Sequence, residues 1–94
     1  MIVERALVNL RRELLVLGVV TEDRDVFWAR SGDPMLSLAP GPVVWTGPEW
    51  FRWIGEELRW RCHTVHDPAG AARQIHRACN PPEGLVGGNL TAPL

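Results

Sequence analysis

Apolar residues recur at three- and four-residue steps through the first seventeen positions. Val3, Leu7, Leu10, Leu14 and Leu17 form one stripe, with Ala6 beside it. Glu4, Arg5, Arg11, Arg12 and Glu13 fall mostly away from that stripe. The spacing predicts an amphipathic helix over residues 2–17. Gly18 follows the last periodic residue and suits the left-handed position that ends a helix.

Beyond Gly18 the pattern turns strand-like. Val19-Val20-Thr21 reads as a short strand and Glu22-Asp23-Arg24-Asp25 as a polar turn. Val26–Arg30 is β-prone, and Ser31-Gly32-Asp33-Pro34 closes it with turn chemistry. Met35–Ala39 is a further strand. Pro40-Gly41-Pro42 then forces a bend or a sheet edge, because proline cannot donate to a central ladder. Val43-Val44-Trp45 resumes the strand character, and Thr46-Gly47-Pro48 turns again.

Residues 49–65 admit two readings. As a helix, Pro48 would take the first position, with Trp50, Ile54 and Leu58 along one stripe. As a hairpin, Gly55-Glu56 would be the turn. Leu58, Trp60, Cys62 and Thr64 alternate with Arg59, Arg61, His63 and Val65, and that period of two favours the hairpin. A two-residue turn places Ile54 opposite Glu57, Trp53 opposite Leu58, Arg52 opposite Arg59, Phe51 opposite Trp60 and Trp50 opposite Arg61. One face then carries Phe51, Trp53, Leu58, Trp60 and Cys62, the expected core. The other carries Trp50, Arg52, Arg59, Arg61 and His63, the candidate binding residues.

The last element is a helix. Asp67 is a good N-cap, and Pro68 fits the first helical position. Ala71, Ala72, Ile75, Ala78 and Cys79 line one side, Arg73, Gln74 and Arg77 the other, and Asn80-Pro81-Pro82 stops it. The chain is thus expected to form one α+β domain over residues 1–80: an antiparallel sheet of three to five strands with an N-terminal and a C-terminal helix on one face. The helix stripes should cover Phe51, Trp53, Leu58 and Trp60. Residues 81–94 form a Gly/Pro-rich tail, expected to be flexible or ordered by a partner.

Composition narrows the function classes. A net charge of -1 argues against a general attraction to nucleic acid or an anionic membrane. All ten basic residues are Arg, amid abundant Ala, Gly and Pro. These are residues of GC-rich codons, as in a high-GC bacterial genome, so the choice of Arg partly reflects codon bias. The two cysteines are too few for a disulfide framework. The charges in the first helix exclude a membrane span, and no signal-peptide pattern is present. A cytoplasmic protein is expected.

Candidate chemistry is sparse. Cys62, His66, His76 and Cys79 are permitted zinc ligand types, but their C-x3-H-x9-H-x2-C spacing is not that of a zinc finger. Along a strand, Cys62 and His66 would stand about 13 Å apart. The thiols read more simply as small hydrophobes, and no metal or cofactor is expected. Cys62 and His63 are neighbours in a strand and point to opposite faces, so they cannot pair as nucleophile and base. Gly84 and Gly87-Gly88 do not lie between a strand and a helix, as a phosphate loop requires. Glu56-Glu57 reads as a solvated turn tip. No catalytic residue is assigned, and the reading leans against an enzyme without deciding it.

The Arg/Trp face is the strongest functional signal, because both residue types concentrate at binding hot spots. It points first to a non-catalytic protein–protein interaction or accessory module, with a protein partner or a homodimer. Nucleic acid bound on the same Arg/Trp face is one alternative. A small-molecule or metal-dependent role around the Cys/His residues is another. No membrane partner is expected.

Leu10-Arg11-Arg12-Glu13-Leu14 with Gly18-Val19, the Trp-containing middle, and Asp67-Pro68-Ala69-Gly70-Ala71-Ala72-Arg73-Gln74-Ile75 resemble small actinobacterial proteins of helix–strands–helix form. The resemblance spans Val3 to Cys79. It implies the same α+β layout and no particular function: such proteins are often found beside transcription regulators or in biosynthetic and conjugative loci, and their function is generally unknown. The Pro40-Gly41-Pro42 bend, the Trp50–Leu58 region and the tail after Asn80 depart from that pattern.

Overall fold

The computed structural model describes residues 2–55 and 58–79. The expected tail, 81–94, lies outside them. Helix α1 spans Ile2–Val16. Gly18 adopts φ +89°, its N–H donates to Leu15 O, and the Val19 N–H reaches back to Leu14 O at 2.8 Å. Those two bonds form a Schellman closure, which needs a left-handed residue at the position of Gly18.

The expected strand at Val19–Thr21 does not form. Arg11 on α1 takes Thr21 instead, donating from Nε to Thr21 Oγ1 at 2.8 Å and from a terminal nitrogen to Thr21 O at 3.2 Å. A single 3-10 turn, Asp23–Asp25, follows, closed by a reciprocal cap between Glu22 and Asp25. The segment is pinned to the helix and has no ladder to join.

Five strands come next: β1 (Val26–Trp28), β2 (Pro34–Ser37), β3 (Val43–Thr46), β4 (Trp50–Ile54) and β5 (Trp60–Thr64). They form one antiparallel meander in chain order. Helix α2, Pro68–Cys79, closes the domain and packs against α1. Asp67 caps it as expected, Oδ1 accepting the Gly70 N–H at 3.1 Å.

Strand pairing assigns the two faces. Val26, Leu36 and Val44 share one cross-strand row, and Thr46, Phe51 and His63 another. These belong to the face that the helices cover. There Leu36, Val44, Phe51 and Trp53 bury against Leu7, Leu10 and Leu14 of α1 and Ala71, Ala72 and Ile75 of α2. Burying a large apolar side chain stabilises by roughly 1.5–3 kcal/mol, which explains why these stripes decide the packing.

The hairpin at 49–65 exists, but its register differs from the one expected. Trp50 pairs with Thr64, Phe51 with His63, Arg52 with Cys62, Trp53 with Arg61 and Ile54 with Trp60. Five residues, 55–59, connect the strands instead of two. The Gly55 N–H donates to Arg59 O at 2.8 Å, and Leu58 sits at φ +59°. A shift of three residues is odd, so every β5 side chain changes face. Leu58 and Trp60, expected in the core, are 87% and 58% exposed.

Candidate functional site

The register shift divides the five candidate binding residues. Trp50 and Arg52 lie on the outer face of the sheet, away from the helices. Arg61 and His63 lie on the helix-covered side, at the β5 edge beside α2. Arg59 lies in the connection between the strands and is exposed. The predicted single Arg/Trp face therefore does not form. Trp60 and Cys62 join the outer face in place of Arg61 and His63.

One row runs across that outer face through all five strands: Phe27, Met35, Trp45, Arg52 and Cys62, each paired with the next. Trp50, Ile54 and Trp60 flank it toward β5, and Val43 toward β2. Phe27, Val43, Trp50, Ile54 and Trp60 are each exposed, although they are large and apolar. Among the described residues no helix or strand covers them. The Arg52 guanidinium lies 5.7 Å from the Trp60 ring centroid. That is the diagonal contact open to a long side chain across an antiparallel pair.

On the opposite side, a groove of about 360 Å³ opens between β5 and α2. Trp53, Arg61, His63, Asp67, Arg73, Gln74 and Arg77 line it. His63 is held from both ring nitrogens. Its Nε2 is 2.9 Å from Asp67 Oδ2 and its Nδ1 is 3.1 Å from Gln74 Nε2. The Asp67 carboxylate can only accept, so the His63 Nε2–H donates to it. The His63 hydrogen bond, then the Gly70 N–H, hold the Asp67 carboxyl below its ordinary value of 3.8, with nearby His63 and Arg73 charge adding to the effect. Gly70 makes room for this arrangement: a Cβ there would overlap Asp67 Oδ2 and stand 2.8 Å from His63 Nε2.

The four residues with zinc ligand chemistry are not brought together. Cys62 is exposed on the outer face, His66 follows β5, and His76 and Cys79 lie on α2. Among the described residues no three His, Cys, Asp or Glu side chains gather as metal ligands. Burial pushes the Cys79 thiol up. Its sulfur packs where a side chain at Gly41 would otherwise stand, 2.7 Å from that Cβ position.

No family model, curated protein or solved structure matches this chain. Among the described residues no helix is long and apolar enough to cross a membrane.

Proposed function

We propose that this protein is a cytoplasmic, non-catalytic interaction module that docks another protein on the outer face of its sheet. The observation behind this reading is the uncovered row from Phe27 to Cys62 with its exposed Trp50, Ile54 and Trp60. Contiguous exposed apolar surface of this kind marks interaction sites. Trp and Arg are the side chains that most often carry binding energy. The fitting partner presents an apolar surface with a carboxylate placed to meet Arg52. Nucleic acid on this face is the weaker reading, because Arg61 and His63 project to the other side.

The test is a paired substitution. Trp50→Glu with Ile54→Glu removes partner capture and leaves the melting temperature within a few degrees, because neither side chain enters the core. Light scattering on the same variants distinguishes a second copy of this chain from a different partner. Capture that survives the double substitution contradicts the proposal.

A further inference from the structure

We propose that the groove between β5 and α2 binds a small phosphate-bearing molecule, its phosphate held by Arg61, Arg73 and Arg77. This site lies on the helix-covered side of the sheet, so it is independent of the protein-docking face and either assignment can fail alone.

Three arginines line one groove of about 360 Å³. Among the described residues, none of the three makes an ion pair. Arg73 and Arg77 are four apart on α2, a like-charge spacing that weakens an isolated helix unless an anion lies between them. Among the described residues Asp67 is the one carboxylate lining the groove, and it is engaged by His63 and the Gly70 N–H. The described lining therefore sets three guanidiniums against one engaged carboxylate, which suits an anion such as phosphate.

Trp53 supplies a second, independent sign. It is 1% exposed, lines the groove, and its indole N–H makes no hydrogen bond among the described residues. A Cβ at Gly55, also in the lining, would stand 3.6 Å from Trp53 Nε1, so the indole edge faces that wall. That N–H reaches the groove, where an acceptor oxygen of a ligand can take it. The groove is thus rich in donors and poor in acceptors. Arg forks suit the oxygens of phosphate, which accept in pairs.

The experiment titrates the full chain with pyrophosphate at low salt and follows the indole N–H resonances of its five tryptophans by NMR. The Trp53 signal is expected to move saturably while those of Trp50 and Trp60 stay in place. Arg61→Gln and Arg73→Gln are each expected to weaken binding by about tenfold or more, the loss of one charged hydrogen bond. Both variants keep the wild-type melting temperature, because both side chains are exposed. Absence of a saturable Trp53 shift up to about 10 mM overturns the site. Citrate binding as tightly as pyrophosphate overturns the phosphate assignment. A single-stranded oligonucleotide that binds more tightly and moves the Trp50 and Trp60 signals overturns the small-ligand assignment.

Discussion

Trp53 pairs with Arg61 across β4 and β5, so a buried indole and an exposed guanidinium share the helix-covered side of the sheet. The five-residue connection that sets this pair also sends Trp60 to the outer face. Two tryptophans seven residues apart thereby acquire opposite roles, one in the core and one on the open surface.

That difference predicts unequal costs. Trp53→Ala is expected to destabilise by about 3–5 kcal/mol, as for a large aromatic removed from a core. Trp60→Ala removes only an exposed ring and its contact with Arg52, about 0.5–1 kcal/mol. Chemical denaturation of the two variants measures both. Equal losses would point to the two-residue turn and a buried Trp60.

Gly70 gives a prediction of sign. Gly to Ala inside a helix ordinarily stabilises by up to about 1 kcal/mol. Here the added methyl overlaps Asp67 and crowds His63, so Gly70→Ala is expected to destabilise by about 1–3 kcal/mol. A raised melting temperature would show that the Asp67–His63 contact yields without loss.

The lowered Asp67 carboxyl fixes a pH dependence. Its folded value lies below its ordinary 3.8, so the stabilisation carried by its charge is complete above 3.8 and disappears as the pH falls through the folded value. Asp67→Asn keeps the N-cap acceptor for Gly70 and replaces the charged acceptor of the His63 N–H with an uncharged amide. The wild type is expected to melt higher than Asp67→Asn at about pH 6, and the gap to close in acid below 3.8. A gap that persists unchanged to about pH 2 contradicts the assignment.

Thr46 is fully buried on the helix-covered face, and its hydroxyl has no hydrogen-bond partner among the described residues. Valine has nearly the same shape without the polar atom. Thr46→Val is expected to stabilise by about 1 kcal/mol, raising the melting temperature by roughly 4–8 °C for a domain of this size. A lowered melting temperature would mean that the hydroxyl is satisfied.

Much of the layout was legible in the chain, because its signals are local. The Leu stripe gave α1, Gly18 its end, Asp67 and Pro68 the start of α2, and the period of two gave the hairpin over a helix at 49–65. What escaped was a number, the length of one turn. Gly55-Glu56 has the look of a tight turn, whereas the chain closes five residues through Leu58, whose side-chain type carries no signal for a positive φ. Since alternation is strict, that odd shift reassigned Trp60, Cys62, Arg61 and His63 together. The Val19–Thr21 strand failed for a different reason. Its apolar run is real, but Arg11, ten residues before Thr21, claims the backbone and hydroxyl there. The groove between β5 and α2 depends on long-range placement of Arg61 against Arg73 and Arg77, which no local pattern displays.

Cys62 offers the most direct test of the outer face as a docking surface. It is exposed at the end of the row through Arg52, whereas Cys79 is half-buried with its thiol pushed up, so a maleimide reacts at Cys62 first. A benzophenone attached there and irradiated in the presence of cell extract should give one dominant protein adduct, lost when Trp60 is changed to Glu. The same adduct forming undiminished from Trp60→Glu, or forming only when the probe is moved to Arg77→Cys on α2, would contradict the account.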